Sequence, residues 1–106
     1  MLQKSLGEIV HMPQPELTAT VQEDAYRAKV LKTFIKHGRL TQIPAQLKKQ
    51  IIILEKLVEA FEPDYAYTEK EVNLILLDFH EDFATLRRGL INHKLMRRDK
   101  GIYHRN

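Results

Sequence analysis

The sequence predicts a mainly helical α+β domain, and three observations carry that reading. Apolar residues recur at three- and four-residue intervals through four stretches between Gln22 and Lys94, the spacing of helices with one buried face. The last quarter breaks that period: LMRR, a turn at Asp99-Lys100-Gly101, then IYHR, which predicts two short strands around a glycine-containing loop. A length of 106 residues with no cysteine suits one core without disulfides. Helix, short extended piece, helix, tight turn, helix and basic hairpin, in that order over residues 44–105, is the order of a winged helix-turn-helix, here with an extra N-terminal helix.

Residues 1–21 contain Pro13, Pro15, Thr18 and Thr20 without sustained periodicity, so they predict a partly disordered tether, with room for a short helix around 6–10. Residues 22–106 form the single domain. Its first helix runs over 22–37: Tyr26, Val30, Leu31, Phe34 and Ile35 supply the buried face, and His37-Gly38 the helix-ending glycine. Pro44 keeps the residue before it extended and suits the first position of the next helix. There Leu47, Ile51, Leu54, Val58 and Phe61 mark the stripe, widened by Ile52, Ile53 and Leu57. Glu62-Pro63 ends it. Thr68 and Glu71 are spaced as a capping box for a third helix, which buries Val72, Ile75, Leu76 and Phe79. Asp82 caps the fourth, over 82–94, where Phe83, Leu86 and Leu90 point inward. Thr85, Arg88, Gly89 and Asn92 fall on its opposite face, with Arg87 and Ile91 on the flank.

Net charge is +3, but its distribution is uneven. Residues 62–81 carry six acids against Lys70, whereas residues 82–106 carry seven bases against Asp82 and Asp99. A basic terminal block suits a polyanionic partner, and the same block equally suits internal neutralisation by the acids beside it. No stretch approaches the roughly 20 apolar residues of a membrane helix, and the N-terminus lacks a signal-peptide core, so a soluble, cytoplasmic protein is expected.

The stretches GRLTQIPAQLKKQIIILEKLVEAFEP, YTEKEVN and FHEDFATLRRGLINHKLMRRDKGIYHR, in that order, resemble a bacterial family catalogued as domain of unknown function 2087. The resemblance covers about residues 30–105. It implies a domain that occurs alone or behind a helix-turn-helix in transcriptional regulators, and it implies no activity.

Nucleic-acid binding is the first functional expectation, with double-stranded DNA as partner. Thr85, Arg88 and Asn92 are the candidates for base edges, and Lys94, Arg97, Arg98, Lys100, Tyr103, His104 and Arg105 for the phosphates beside the wing. Gly89 would allow close approach of the backbone. Arg87 and Arg88 have an internal use open to them as well, pairing with Asp78, Glu81 or Asp82. The alternative is a protein-interaction or dimerisation module of a regulator, through the Tyr26, Val30 and Phe34 face. Tyr65 and Tyr67 suit packing against the hairpin better than stacking on bases, and Lys48-Lys49 suits the solvated side of the second helix.

An enzyme is not expected. His80, Glu81 and Asp82, with His93 and His104 downstream, lack the spacing of a metal or acid/base set and suit a helical corner instead. No catalytic, metal-binding or cofactor-binding residue is assigned.

Overall fold

The computed structural model describes residues 15–106. Residues 1–14, with most of the expected tether, lie outside them. Helix α1 spans Pro15–Phe34. It starts ahead of the expected Gln22, on a proline whose missing amide proton costs nothing at a first helical position. Residues 21–25 are all exposed.

At its other end α1 stops at Phe34, short of His37. The chain turns back as a small antiparallel hairpin, β1 (Ile35–Lys36) with β2 (Arg39–Leu40). The two loop residues both have positive φ, 55° at His37 and 78° at Gly38, as the type I′ hairpin turn requires. Gly38 therefore serves a strand reversal and not a helix stop. The hairpin is anchored by the Leu40 amide donating to the Phe79 carbonyl at 2.8 Å.

Helix α2 spans Leu47–Leu57 and tightens into a 3-10 turn at Val58–Ala60. Pro44 sits ahead of the helix instead of opening it, and its carbonyl accepts from the Gln50 side chain at 3.1 Å. Leu47, expected inside, is 58% exposed at the first turn, whereas Ile53, Leu54 and Leu57 are at most 1% exposed. Phe61 has left the helix for extended backbone and is still buried.

Strand β3 (Tyr67–Thr68) leads directly into α3 (Glu69–Leu77). The capping box forms as expected: Thr68 Oγ1 accepts from the Glu71 amide at 3.1 Å, and Glu71 Oε1 accepts from the Thr68 amide at 2.9 Å. Val72 and Leu76 are buried, while Leu74 and Leu77 face solvent. Asp82 caps α4 (Phe83–Asn92), its carboxylate accepting from the Thr85 amide at 3.3 Å. Strands β4 (Met96–Asp99) and β5 (Ile102–Arg105) follow, joined by a second two-residue loop with positive φ at Lys100 and Gly101. β3 adds antiparallel to β5, giving a three-stranded sheet in the order β3-β5-β4. The described residues thus form a mixed α+β fold of four helices and two small sheets. Leu86 and Leu90 of α4 meet the α2 and α3 core residues and Met96 and Tyr103 of the sheet in one apolar cluster.

The exit from α4 fixes where the hairpin stands. The Leu95 amide bonds to the Leu90 carbonyl at 2.9 Å and the Lys94 amide to the Ile91 carbonyl at 3.0 Å, the two bonds of a Schellman cap. Lys94 occupies its left-handed position with φ 60°, where glycine carries no Cβ penalty. Lys94→Gly is accordingly expected to raise stability by about 0.5–1 kcal/mol, read as a higher urea midpoint at unchanged m-value.

Candidate nucleic-acid interface

Strand alternation decides which hairpin side chains point together. Register pairs Met96 with Arg105 and Arg98 with Tyr103, and residues opposite one another share a face. Met96 and Tyr103 are buried, so this is the inner face, with Arg98 at its open end. Arg97 pairs with His104 and Asp99 with Ile102 on the outer face. The basic run is therefore divided, and adjacent Arg97 and Arg98 point to opposite sides of the sheet.

Arg98 looks back at α4. Between them lies an open groove of about 230 Å³, lined by Arg87, Arg88, Ile91 and Asn92 of α4, Arg98 and Tyr103 of the hairpin, and Glu69 at the start of α3. Arg87, placed on the flank by its periodicity, donates to Asn73 Oδ1 of α3. It pairs with none of Asp78, Glu81 or Asp82. Arg88 is exposed and Arg98 is exposed, and among the described residues neither is within ion-pair distance of a carboxylate. Arg88 acts on Asp82 only through space. The Asp82 carboxyl is held below its usual range chiefly by the Thr85 hydroxyl, which donates to it at 2.8 Å, then by the Thr85 amide, with smaller help from the Arg88 charge.

Several candidate residues have other duties. The Thr85 hydroxyl is engaged by Asp82. Tyr103 is 2% exposed and its phenol donates to Glu69 Oε1 at 2.9 Å, so it braces the sheet against α3 and offers no ring to a base. Arg105 is half-buried and donates to the Phe61 carbonyl at 2.9 Å, fastening the last strand to the end of the 3-10 turn. Gly89 does not line the groove. A Cβ built there would lie 2.8 Å from Leu54 Cδ1, so the missing side chain serves the close crossing of α4 over α2. Lys94 and Lys100 are exposed at the two ends of β4, each with positive φ. Arg97 donates to Asn106 Oδ1 at 3.1 Å on the outer face, and His104 is half-buried opposite it.

The Tyr103 phenol has its pKa raised, first by burial and then by the Glu69 hydrogen bond and charge, while the Arg87 and Arg98 charges pull it down. Arg87, Arg98 and Tyr103 line the same groove. A raised folded-state pKa favours the protonated phenol in the native state. Its contribution is complete below the unfolded pKa near 10 and is lost as pH rises through the folded value. Denaturant midpoints measured across the alkaline range are expected to fall for the wild type and to fall less for Tyr103→Phe.

His80 Nδ1 accepts from the Asp82 amide at 2.9 Å, the corner-forming use expected of it. Tyr67 pairs with Tyr103 across the sheet, and its ring meets Phe61 edge-on with centroids 5.2 Å apart. Among the described residues no three His, Asp or Glu side chains are grouped to hold a metal ion, and no helix is long and apolar enough to cross a membrane.

No curated protein and no solved structure matches the chain. A family model does, over residues 39–105. That span covers α2, α3, α4 and the whole three-stranded sheet, and omits α1 and β1. It exceeds half of the chain, and the chain therefore belongs to DUF2087, a family described as an uncharacterized protein conserved in bacteria.

Proposed function

We propose that the chain is a nucleic-acid-binding domain of the winged helix-turn-helix kind, belonging to a transcriptional regulator. In this reading α4 enters the major groove of duplex DNA and the β4–β5 hairpin is the wing. The element order from α2 onward and the strand order β3-β5-β4, with the first strand joined to the last, support it. One observation carries the proposal: Arg88 and Arg98, from helix and hairpin, converge with Asn92 on one open groove and neither is paired with a carboxylate.

Guanidinium groups match phosphate and guanine edges with two parallel hydrogen bonds, and an asparagine amide matches adenine in the same way. Glu69 on the groove wall works against a phosphate there, but it is engaged by the Tyr103 phenol. Glu71 is likewise engaged by its capping box and by the Tyr65 hydroxyl. The dimerisation alternative has less support. Val30 is 4% exposed within the chain's own core, and Tyr26 and Phe34 pack against that core.

Fluorescence anisotropy with a mixed-sequence duplex in low salt tests the proposal. Binding is expected, with log affinity falling linearly as log salt rises. A folded protein that leaves the duplex free at about 50 mM salt overturns it.

A further inference from the structure

From Arg27 to Leu54 the chain carries no acidic residue and seven bases: Arg27, Lys29, Lys32, Lys36, Arg39, Lys48 and Lys49. The two arginines are used internally. Arg27 pairs with Glu55 at 2.6 Å, and Arg39 donates to the Asp78 carbonyl at 2.8 Å. The ammonium of Lys48 sits 4.7 Å from the centre of the Tyr26 ring. The other lysines have no hydrogen-bond or ion-pair partner among the described residues.

They are also grouped. Lys29 of α1 and Lys49 of α2 line one groove of about 190 Å³, with Thr33 on its wall and Tyr26, Val30 and Phe34 as its apolar lining. Lys32 is exposed one turn beyond Lys29, and Lys36 is exposed just past the helix end. Side chains three or four apart on a helix stand about 5–6 Å from one another, close to the spacing of successive phosphates on one strand. Lys29, Lys32 and Lys36 precede the family-matched segment, so this chain's α1 supplies half of the surface.

We propose that this α1–α2 face is a second polyanion-binding surface, and that its partner is the phosphodiester backbone of nucleic acid, held without reading of bases. Lysines act there as point charges. Two of the polar side chains near the lysines are already engaged: Arg27 is paired with Glu55, and Gln50 Nε2 is bonded to the Pro44 carbonyl. An amphipathic helix lying in a membrane surface buries its apolar face there, whereas the apolar side of α1 is turned onto the core. The surface is separate from the α4 groove and stands whether or not that groove binds DNA.

The test compares duplex binding across a salt series for the wild type, K29Q/K32Q/K49Q, the charge-preserving K29R/K32R/K49R and R88A/R98A, each checked by thermal melting. The glutamine variant is expected to melt like the wild type and to show a slope of log affinity against log salt shallower by roughly 2.7, three counterions' worth. The arginine-for-lysine variant is expected to keep the wild-type slope. If the glutamine variant keeps the wild-type slope and affinity, the proposal is overturned, whatever R88A/R98A does. If R88A/R98A is unchanged while the glutamine variant loses binding, the α4 reading falls and this one stands. Sedimentation with phosphatidylserine-containing vesicles that depends on the same three lysines, without their effect on duplex binding, also overturns it.

Discussion

Leu54→Ala is expected to lower the free energy of unfolding by about 2–5 kcal/mol, at the upper end of that range for want of room to relax. Leu54 is 1% exposed and lies under α4, where its methyl groups fill the space left by Gly89. A Cβ at position 89 would meet Leu54 Cδ1 at 2.8 Å and Cδ2 at 3.4 Å. Leu54 and Gly89 are thus two halves of one contact, and their substitutions should be coupled. Alone, Gly89→Ala gains about 1 kcal/mol of helix propensity and meets an overpacking cost of about 1–3 kcal/mol, so it is neutral to destabilising. In the Leu54→Ala background the same methyl enters the vacated space, and the change becomes stabilising. A double-mutant cycle by urea denaturation should return a coupling of about 1–2 kcal/mol in favour of the double variant. Additivity within about 0.5 kcal/mol would show that position 89 is open and that glycine serves some other purpose.

That pair also shows what the amino-acid order reveals and what it hides. The inward residues of α4, Leu86 and Leu90, follow from periodicity alone, and the Thr68–Glu71 capping box follows from a spacing of three. Local chemistry of this kind is written within one turn of helix. Gly89 has the same neighbours on a helical projection as Thr85 and Arg88, yet it faces α2, because the crossing of two helices reaches past the apolar stripe onto its flank. The projection says how a side chain is turned, and only the packing says what stands there. His37-Gly38 is ambiguous for a related reason: positive φ suits both a helix stop and a hairpin turn, and the pairing of Ile35 with Leu40 decides between them.

The basic hairpin is the clearer case of a pattern read too broadly. A run of bases looks like one surface, but a strand alternates its faces, so Arg97 and Arg98 diverge and Tyr103 and Arg105 turn inward. Arg105 then meets a carbonyl and Tyr103 a carboxylate, partners distant in the chain. What survives of the candidate interface is smaller: Arg88 and Asn92 on α4, Lys94 just past its end, Arg98 across the groove, and Arg97, Lys100 and His104 on the outside of the hairpin. The basic stretch before α3 is legible as composition, but the division of its arginines and lysines between internal and free roles is not.

Arg88→Ala/Arg98→Ala should weaken duplex binding by roughly 100-fold at about 50 mM salt and make the salt slope shallower by about 1.8, the release of two counterions. The two guanidinium groups oppose each other across an open groove and make no ion pair with a carboxylate in the fold, so their removal should leave the melting temperature nearly unchanged. Arg105→Ala is the informative contrast. It also removes one positive charge, but it leaves the half-buried Phe61 carbonyl contact unmade, so its effect should appear in stability, by about 1–3 kcal/mol, more than in the salt slope. Glu69→Gln should act in the opposite sense to the double variant, since it removes the one carboxylate lining the groove, and should tighten binding modestly while leaving an acceptor for the Tyr103 phenol. Asn92→Ala separates reading from anchoring: if the amide meets a base, it alters preference among duplex sequences and leaves the slope as it was. A double variant that binds like the wild type at every salt concentration would mean that the groove takes no phosphate, and α4 would then be a packing helix with one unpaired arginine, Arg88, on its surface.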